Sequence, residues 1–253
     1  MNFWQKGKLA LAQALNLDLT HSQRHYAAFL NSYVTDGVRW LDVGCGRQIL
    51  PLWAVPEADQ RRMISRCGSV TGIDVDDAIR DHPLLTARVK GLVSSLPFRG
   101  GTFDLVTANM VVEHVDDCPA FLADIFAVLK PGGKFVFHTP NYWHYLVLAA
   151  SLIPDSIKGP IVWWLERRRE EDRFRTYYRF NSVTRIRRLA ERAGFQIEEL
   201  RVVGSCGSFG RLGPLGLLEC FVLKANSLLC HGKLKSNLVC ALRKPPTTDS
   251  RAR

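Results

Sequence analysis

Apolar positions follow two different periods along the chain. Between residues 5 and 34 they recur at helical spacing, with Tyr26, Phe29, Leu30 and Tyr33 on one stripe, which predicts one or two helices. From residue 38 onward, short apolar runs take over. Val38–Val43, Ser69–Asp74, Gly91–Val93, Phe103–Ala108 and Lys134–Thr139 read as five strands, Phe195–Val203 as a sixth and Leu238–Leu242 as a seventh. Helical segments separate them. Asp116, Asp117 and Pro119 start a helix whose buried stripe is Phe121, Leu122, Ile125, Val128 and Leu129. Lys130 closes its last turn and Pro131-Gly132-Gly133 stops it. After the first strand, Pro51 and Pro56 delay a regular helix until residues 56–59. Asn181 or Ser182 caps another helix, which Gly194 ends, and a further helical stretch covers Leu215–Leu229. Strands alternating with helices specify βαβ units. The predicted fold is α/β, a seven-stranded, mostly parallel sheet with an antiparallel last strand and helices on both faces.

Length and composition add bounds. With 253 residues, 47% of them hydrophobic, the chain can build one sizeable core. The expected division is an N-terminal helical cap over 1–37, a core over 38–140, a helical insertion over 141–180, a return to the core sheet over 181–244 and a polar tail over 245–253. Seven cysteines without any CxxC pair point to reduced thiols and a cytoplasmic location rather than to a disulfide scaffold or a zinc site. No run of about 18 uncharged apolar residues occurs, so no spanning helix is expected. The longest candidate, Tyr142–Leu165, is broken by Pro154, Asp155, Lys158 and Pro160. Residues 145–165 instead suit peripheral contact with a membrane.

The net charge of +10 changes the picture because it is uneven. Between Arg167 and Arg192, ten arginines against four acidic residues leave a net +6. One reading is a solvated face laced with ion pairs. The other is an anionic partner: a phosphorylated or carboxylated substrate, a lipid headgroup or nucleic acid.

The densest chemistry lies at Leu41-Asp42-Val43-Gly44-Cys45-Gly46, where the first strand ends. Paired glycines let the backbone turn sharply and approach a ligand, and open parallel sheets bind ligands at these carboxyl ends. The loop departs from the dinucleotide GxGxxG pattern, since Ile49 stands at the third glycine's position. Asp42 would repel a pyrophosphate and suits a zwitterionic or cationic ligand. The second strand ends Gly72-Ile73-Asp74-Val75-Asp76, and an acid there can accept hydrogen bonds from both hydroxyls of a ribose. Capping the following turn is the plainer role for Asp74.

The order LDVGCG, GIDVD, LPF, FDLVTANMVVEHV and LKPGGKFVFHTPN resembles the class I S-adenosyl-L-methionine (SAM) dependent methyltransferases. It is most similar to the branch containing the ubiquinone-biosynthesis O-methyltransferases. The likeness covers roughly residues 38–142 and, more weakly, 181–243. It implies a Rossmann-like sheet over 38–140 that binds SAM, and a substrate lid over 141–180. Asp42, Gly44, Cys45 and Gly46 would line the methionine end of the cofactor. Asp74 would hold the ribose, with Val75 against the adenine and Val93 at its edge, and Asn109 and Met110 would lie beneath. Family members often carry an acid near Leu92 that reads the adenine amino group; here Ser94 and Ser95 or backbone groups must serve.

On the acceptor side, His114 is the candidate general base, with a buttress of the cofactor loop as its structural alternative. His138, inside the fifth strand, reads as a satisfied core histidine. Asn141 and His144, at that strand's mouth, could contact substrate. Tyr177, Tyr178 and Arg179 could close over an acceptor, with Trp163 and Trp164 packing beneath; an ordinary helical insert is the alternative. Absence of an NPPY-type motif disfavours amino-methylation of adenine or glutamine. The expected function is methyl transfer to oxygen of a small-molecule or lipid-linked acceptor without a metal. An RNA methyltransferase and a catalytically silent SAM-binding subunit are the competing readings. The first lacks a recognisable RNA-binding module, and the second is disfavoured by Asp42, Gly44, Gly46 and Asp74 all being present.

Overall fold

The computed structural model describes residues 3–145, 147–148, 175–204 and 213–246. The expected arginine-rich stretch up to residue 173, Trp163, Trp164 and most of the 145–165 segment lie outside the described residues. Seven strands form one sheet in the order β3-β2-β1-β4-β5-β7-β6. They are β1 (Arg39–Val43), β2 (Ser69–Asp74), β3 (Ala87–Lys90), β4 (Phe103–Asn109), β5 (Leu129–Pro140), β6 (Gln196–Val203) and β7 (Asn237–Arg243). Strands β1 to β5 are parallel, and β7 runs antiparallel to β5 on one side and β6 on the other.

Side chains alternate across this sheet with period two, and each face has its own core. Leu41, Val43, Val106, Phe135 and Phe137 point to the face covered by helices α4 (Cys118–Val128) and α5 (Val183–Arg192). Trp40, Leu105, Val136 and Val239 point to the other, where Tyr26, Phe29 and Leu30 of helix α2 (Ser22–Asn31) and Met63 of α3 (Glu57–Ile64) meet them. Helix α1 (Phe3–Ala14) packs on α6 (Leu215–Leu229). The caps follow sequence chemistry: Asp117 accepts from the Ala120 amide and Ser182 from Arg185. Helix α3 begins right after Pro56.

Two strand expectations need correction. The third strand is Ala87–Lys90, not Gly91–Val93. As an edge strand it pairs only with β2 and needs no apolar run. It is fixed by polar clamps: Lys90 Nζ reaches Asp77 at 2.8 Å, and just before the strand the Thr86 hydroxyl donates to Val70 O at 2.7 Å. The fifth strand begins at Leu129, so Lys130 does not close a helical turn and Pro131-Gly132-Gly133 lies within the strand. There Lys130 Nζ holds both oxygens of Asp104 at 2.7 and 2.8 Å, tying the start of β5 to β4.

Candidate functional site

The carboxyl ends of β1, β2, β4 and β5 converge, and the sequence places its chemistry there. After β1 the backbone turns through two glycines in left-handed conformation, Gly44 at φ 66° and Gly46 at φ 50°. A Cβ on Gly44 would run into the Val111 side chain of the loop after β4, so with Val111 in place the close approach of that loop needs glycine. A Cβ on Gly46 would meet nothing within 4 Å. The two positions therefore differ: Gly44 permits packing, and Gly46 opens a cradle. Asp74 faces this cradle from β2. Its Oδ2 accepts from the Gly46 amide at 2.7 Å and its Oδ1 from the Asp76 amide at 2.9 Å. Val75 and Val93 are half-buried, and Val93 packs against the core. Cys45 is buried under the loop, which keeps its thiol protonated far above the ordinary range.

Asp42 is more deeply buried than Asp74. Its carboxylate accepts from the Thr107 hydroxyl at 2.5 Å, and Thr107 in turn accepts from Trp40 Nε1 at 2.7 Å. Burial pushes the Asp42 carboxyl up to about 7, against the opposing pull of the Thr107 hydrogen bond. On the same face, Asn109 and Gln23 of α2 exchange amide hydrogen bonds at 3.2 and 3.0 Å. Asn109 Oδ1 also accepts from His138 Nδ1 at 2.9 Å, which leaves the lone pair of that ring on Nε2. His138 is fully buried and stacks on Tyr26, ring centroids 5.2 Å apart. Burial holds its imidazole neutral, down to about 3. Its Nε2 and the Tyr26 hydroxyl have no hydrogen-bond partner, so His138 is not the satisfied core histidine the sequence suggests. Both atoms supply hydrogen-bonding capacity at the strand ends.

The other face carries the acceptor-side candidates. Met110, next after β4, takes φ 59°, a left-handed value uncommon for a non-glycine residue, and donates its amide to His138 O at 2.8 Å. A short 3-10 turn, Val112–His114, follows. Onto it folds the segment 175–179: the amides of Tyr177 and Tyr178 donate to Glu113 O at 2.8 and 3.2 Å. The ring of His114 bonds Arg175 O through Nδ1 at 3.0 Å. A carbonyl only accepts, so in neutral His114 the proton is on Nδ1 and the lone pair on Nε2. Arg179 donates to Asp116 at 2.7 Å and lies over the Tyr177 ring. A cleft of about 730 Å³ opens beside them, lined by Tyr177, Arg179, Arg185 and Arg188 together with Asp116 and Asp117.

Asn141 and His144 lie just beyond the end of β5. Asn141 is buried, and its amide donates to Lys233 O and Lys235 O at 3.0 and 2.8 Å, fastening the mouth of β5 to the chain before β7. His144 is buried against Tyr145, and burial lowers its imidazole to about 4. Glu113 and Gln23 were not singled out by sequence reasoning, and Asn181 only as a candidate helix cap, a place Ser182 takes. Glu113 is buried and accepts from the Thr139 hydroxyl at 3.0 Å, which itself accepts from Asn181 Nδ2 at 2.6 Å. Gln23 lies three residues before Tyr26 on the stripe of α2, a spacing that could have flagged it.

Comparison with known proteins identifies the family of this chain. The methyltransferase-domain family matches residues 12–200. The human mitochondrial ubiquinone biosynthesis O-methyltransferase is 38% identical over 118 residues, which are 42% of this chain and 29% of that protein. The chain thus spans under a third of that relative's length. An uncharacterized methyltransferase of Mycobacterium tuberculosis is 27% identical over 161 residues, 55% of this chain and 76% of its own length. Among solved structures, a SAM-dependent methyltransferase from Methanosarcina mazei superposes with a TM-score of 0.55 at 19% identity, covering 86% of this chain and 97% of the other.

Proposed function

We propose that this chain, which belongs to the methyltransferase-domain family, takes its methyl group from SAM and delivers it to an oxygen of a small-molecule or lipid-linked acceptor. That the chain is a methyltransferase rests on the family match and on its methyltransferase relatives. The observation that carries the SAM reading is the cradle at Gly46, faced by the Asp74 carboxylate. A ribose diol arriving there would replace the Gly46 amide as the partner of Asp74. Gly44, Cys45 and Gly46 would follow the methionine portion from the backbone side, with Asp42 beneath them. Val75 and Val93 would flank the adenine, and Asn109 and Met110 would border the cofactor from β4. Bound SAM supplies an electrophilic methyl group on a sulfonium.

The chain's own task is then to align an acceptor oxygen and remove its proton. Alignment of this kind supplies roughly 7–11 kcal/mol and a general base about 10²–10⁴-fold. His114 would be that base: its Nδ1 is bonded to Arg175 O, so in the neutral ring a hydroxyl proton would go to the other nitrogen. Tyr177, Tyr178 and Arg179 would close the acceptor side, with Asn141 and His144 positioning the chain that leaves β5. In the cleft beside them Arg185 and Arg188 could meet a carboxylate or phosphate on the acceptor, while Asp116 already holds Arg179. In this reading residues 1–37 cap the site, 38–140 and 181–244 form its core, and 141–180 are the acceptor-side insertion. The relative named for ubiquinone-biosynthesis O-methylation supports an oxygen on a quinone-type acceptor. Radiolabelled methyl transfer from SAM into a cell extract, followed by partition, tests this. Label in the organic fraction is the expected outcome. Label confined to nucleic acid would overturn the acceptor, and no label in any fraction would overturn the activity.

A further inference from the structure

Helix α6 carries its charges on the wrong side for a surface helix. Its two charged residues, Glu219 and Lys224, both turn inward toward α1. Glu219 forms a buried ion pair with Lys8 of α1 at 3.1 Å and also accepts from the Tyr145 hydroxyl. Lys224 Nζ donates to Leu15 O at 2.9 Å. The outward positions are Leu215, Leu218, Phe221, Val222, Leu228 and Leu229, and all are exposed, Leu218 at 59% and Leu229 at 79%. Helix α1 extends this surface with exposed Phe3 and Leu9 and partly exposed Trp4. A water-facing helix normally shows the reverse pattern, and contiguous apolar surface on this scale marks an interaction site.

We propose that the α1–α6 face docks onto an anionic lipid surface. Charge selects this occupant. Residues 3–17 contain Lys6 and Lys8 and no acid, and 213–243 contain Lys224, Lys233, Lys235 and Arg243 with Glu219 as their one acid. Glu219 is buried and Lys6 and Lys233 are exposed, so cations outnumber acids along the rim of the apolar face, where Asp18 beside Lys235 is the exposed acid. A second copy of this chain would bring together two rims on which the lysines outnumber Asp18. A bilayer rich in acidic headgroups accepts both the apolar stripe and its basic border. At 15 residues α6 is shorter than the ~20 a spanning helix needs, so it lies in the plane of the interface. Its purpose rests on the lipid-linked acceptor proposed above: Glu219 holds Tyr145, on the chain leaving β5, so the docked helix adjoins the acceptor side.

Sedimentation of the full chain with vesicles of phosphatidylcholine plus phosphatidylglycerol, against phosphatidylcholine alone, tests this docking. Binding to the acidic vesicles is expected, weakening as salt rises. The double variant Leu218→Glu, Phe221→Glu should lose at least tenfold in vesicle affinity while its melting temperature and its affinity for S-adenosylhomocysteine stay unchanged. If that variant fails to fold, Leu218→Ala with Phe221→Ala should still lose several-fold. The proposal is overturned if the wild-type chain ignores acidic vesicles. It is equally overturned if the variants bind as well as wild type, or if the chain is a dimer in solution that Leu218→Glu dissociates. Vesicle binding without organic-soluble methyl product would sink the acceptor reading alone; methyl product without vesicle binding would sink the docking alone.

Discussion

The cofactor end and the acceptor end of the site are built from different materials. At β1 and β2 the work falls to the backbone: two left-handed glycines, an open cradle and one carboxylate bonded to main-chain amides. At β4 and β5 it falls to side chains that meet across long stretches of sequence. Gln23 reaches Asn109, His114 reaches Arg175, and Glu113 is joined through Thr139 to Asn181. Backbone geometry at positive φ strains every side chain and so leaves a compact signature. Side-chain assemblies accept many residue types and leave almost none. The proposed cofactor is the constant of the reaction and the acceptor is its variable, which matches where each material is used.

Each half can be broken separately. The largest effect should come from the acceptor end: His114→Ala should lower turnover by about 10²–10⁴ while affinity for S-adenosylhomocysteine stays within a few-fold. Near-normal turnover in that variant would remove His114 as the base. Next comes the cofactor end. Asp74→Ala should weaken S-adenosylhomocysteine at least tenfold by titration calorimetry, because hydrogen bonds to a charged group contribute about 1.5–3 kcal/mol. Unchanged affinity would place the ribose elsewhere. Gly44→Ala should reduce affinity by about tenfold, since a Cβ at positive φ costs about 1–2 kcal/mol and would also meet Val111. Adding Val111→Ala should recover the steric part but not the backbone part. A double variant no better than Gly44→Ala would show that the clash is relieved without Val111.

The smallest effect is a pH signature beneath the cofactor end. The Asp42 carboxyl is raised by burial to about 7 from an ordinary 3.8. Its neutral form therefore favours the fold, fully below about 3.8, and that contribution is lost as pH rises through 7. Asp42→Asn should gain stability relative to wild type as pH rises from 4 to 7, by at most about 1.4 kcal/mol per pH unit. Urea midpoints that differ by a constant amount over that window would refute it. His138 has the opposite sign, with its contribution present above 6.5 and lost as pH falls toward about 3. The difference between the two proteins cancels it.

The same contrast decides what could be read from the sequence. The strand-ending glycines and Asp74 were legible because turn geometry restricts residue type within a few positions. Six strands and α6 were legible from periodicity. Strand β3 was not, because an edge strand held by Thr86 and Lys90 carries no apolar run. The start of β5 was misplaced because Pro-Gly-Gly reads as a helix stop, while Lys130 bonded to Asp104 already belongs to the sheet. The partnership of Gln23 with Asn109 spans 86 residues, and nothing local to either residue announces it. His138 was legible as buried but not as half-satisfied, since the unpartnered Nε2 depends on what the fold brings around the ring rather than on any local pattern.

The strand order also sets a schedule for synthesis. Strand β7 is made last of the seven yet lies between β5 and β6, and β6 pairs with no other strand. While the ribosome is still making α6, the finished part of the chain must hold β5 with one bare edge and β6 with none of its ladder formed. Exposed edges of apolar strands invite pairing with other nascent chains. Two elements already translated flank the vacancy: α2, whose Tyr26 rests on His138 of β5, and α5, which packs against β6. Nascent chains stalled before residue 237 should therefore be the aggregation-prone species, and those released after 243 should not.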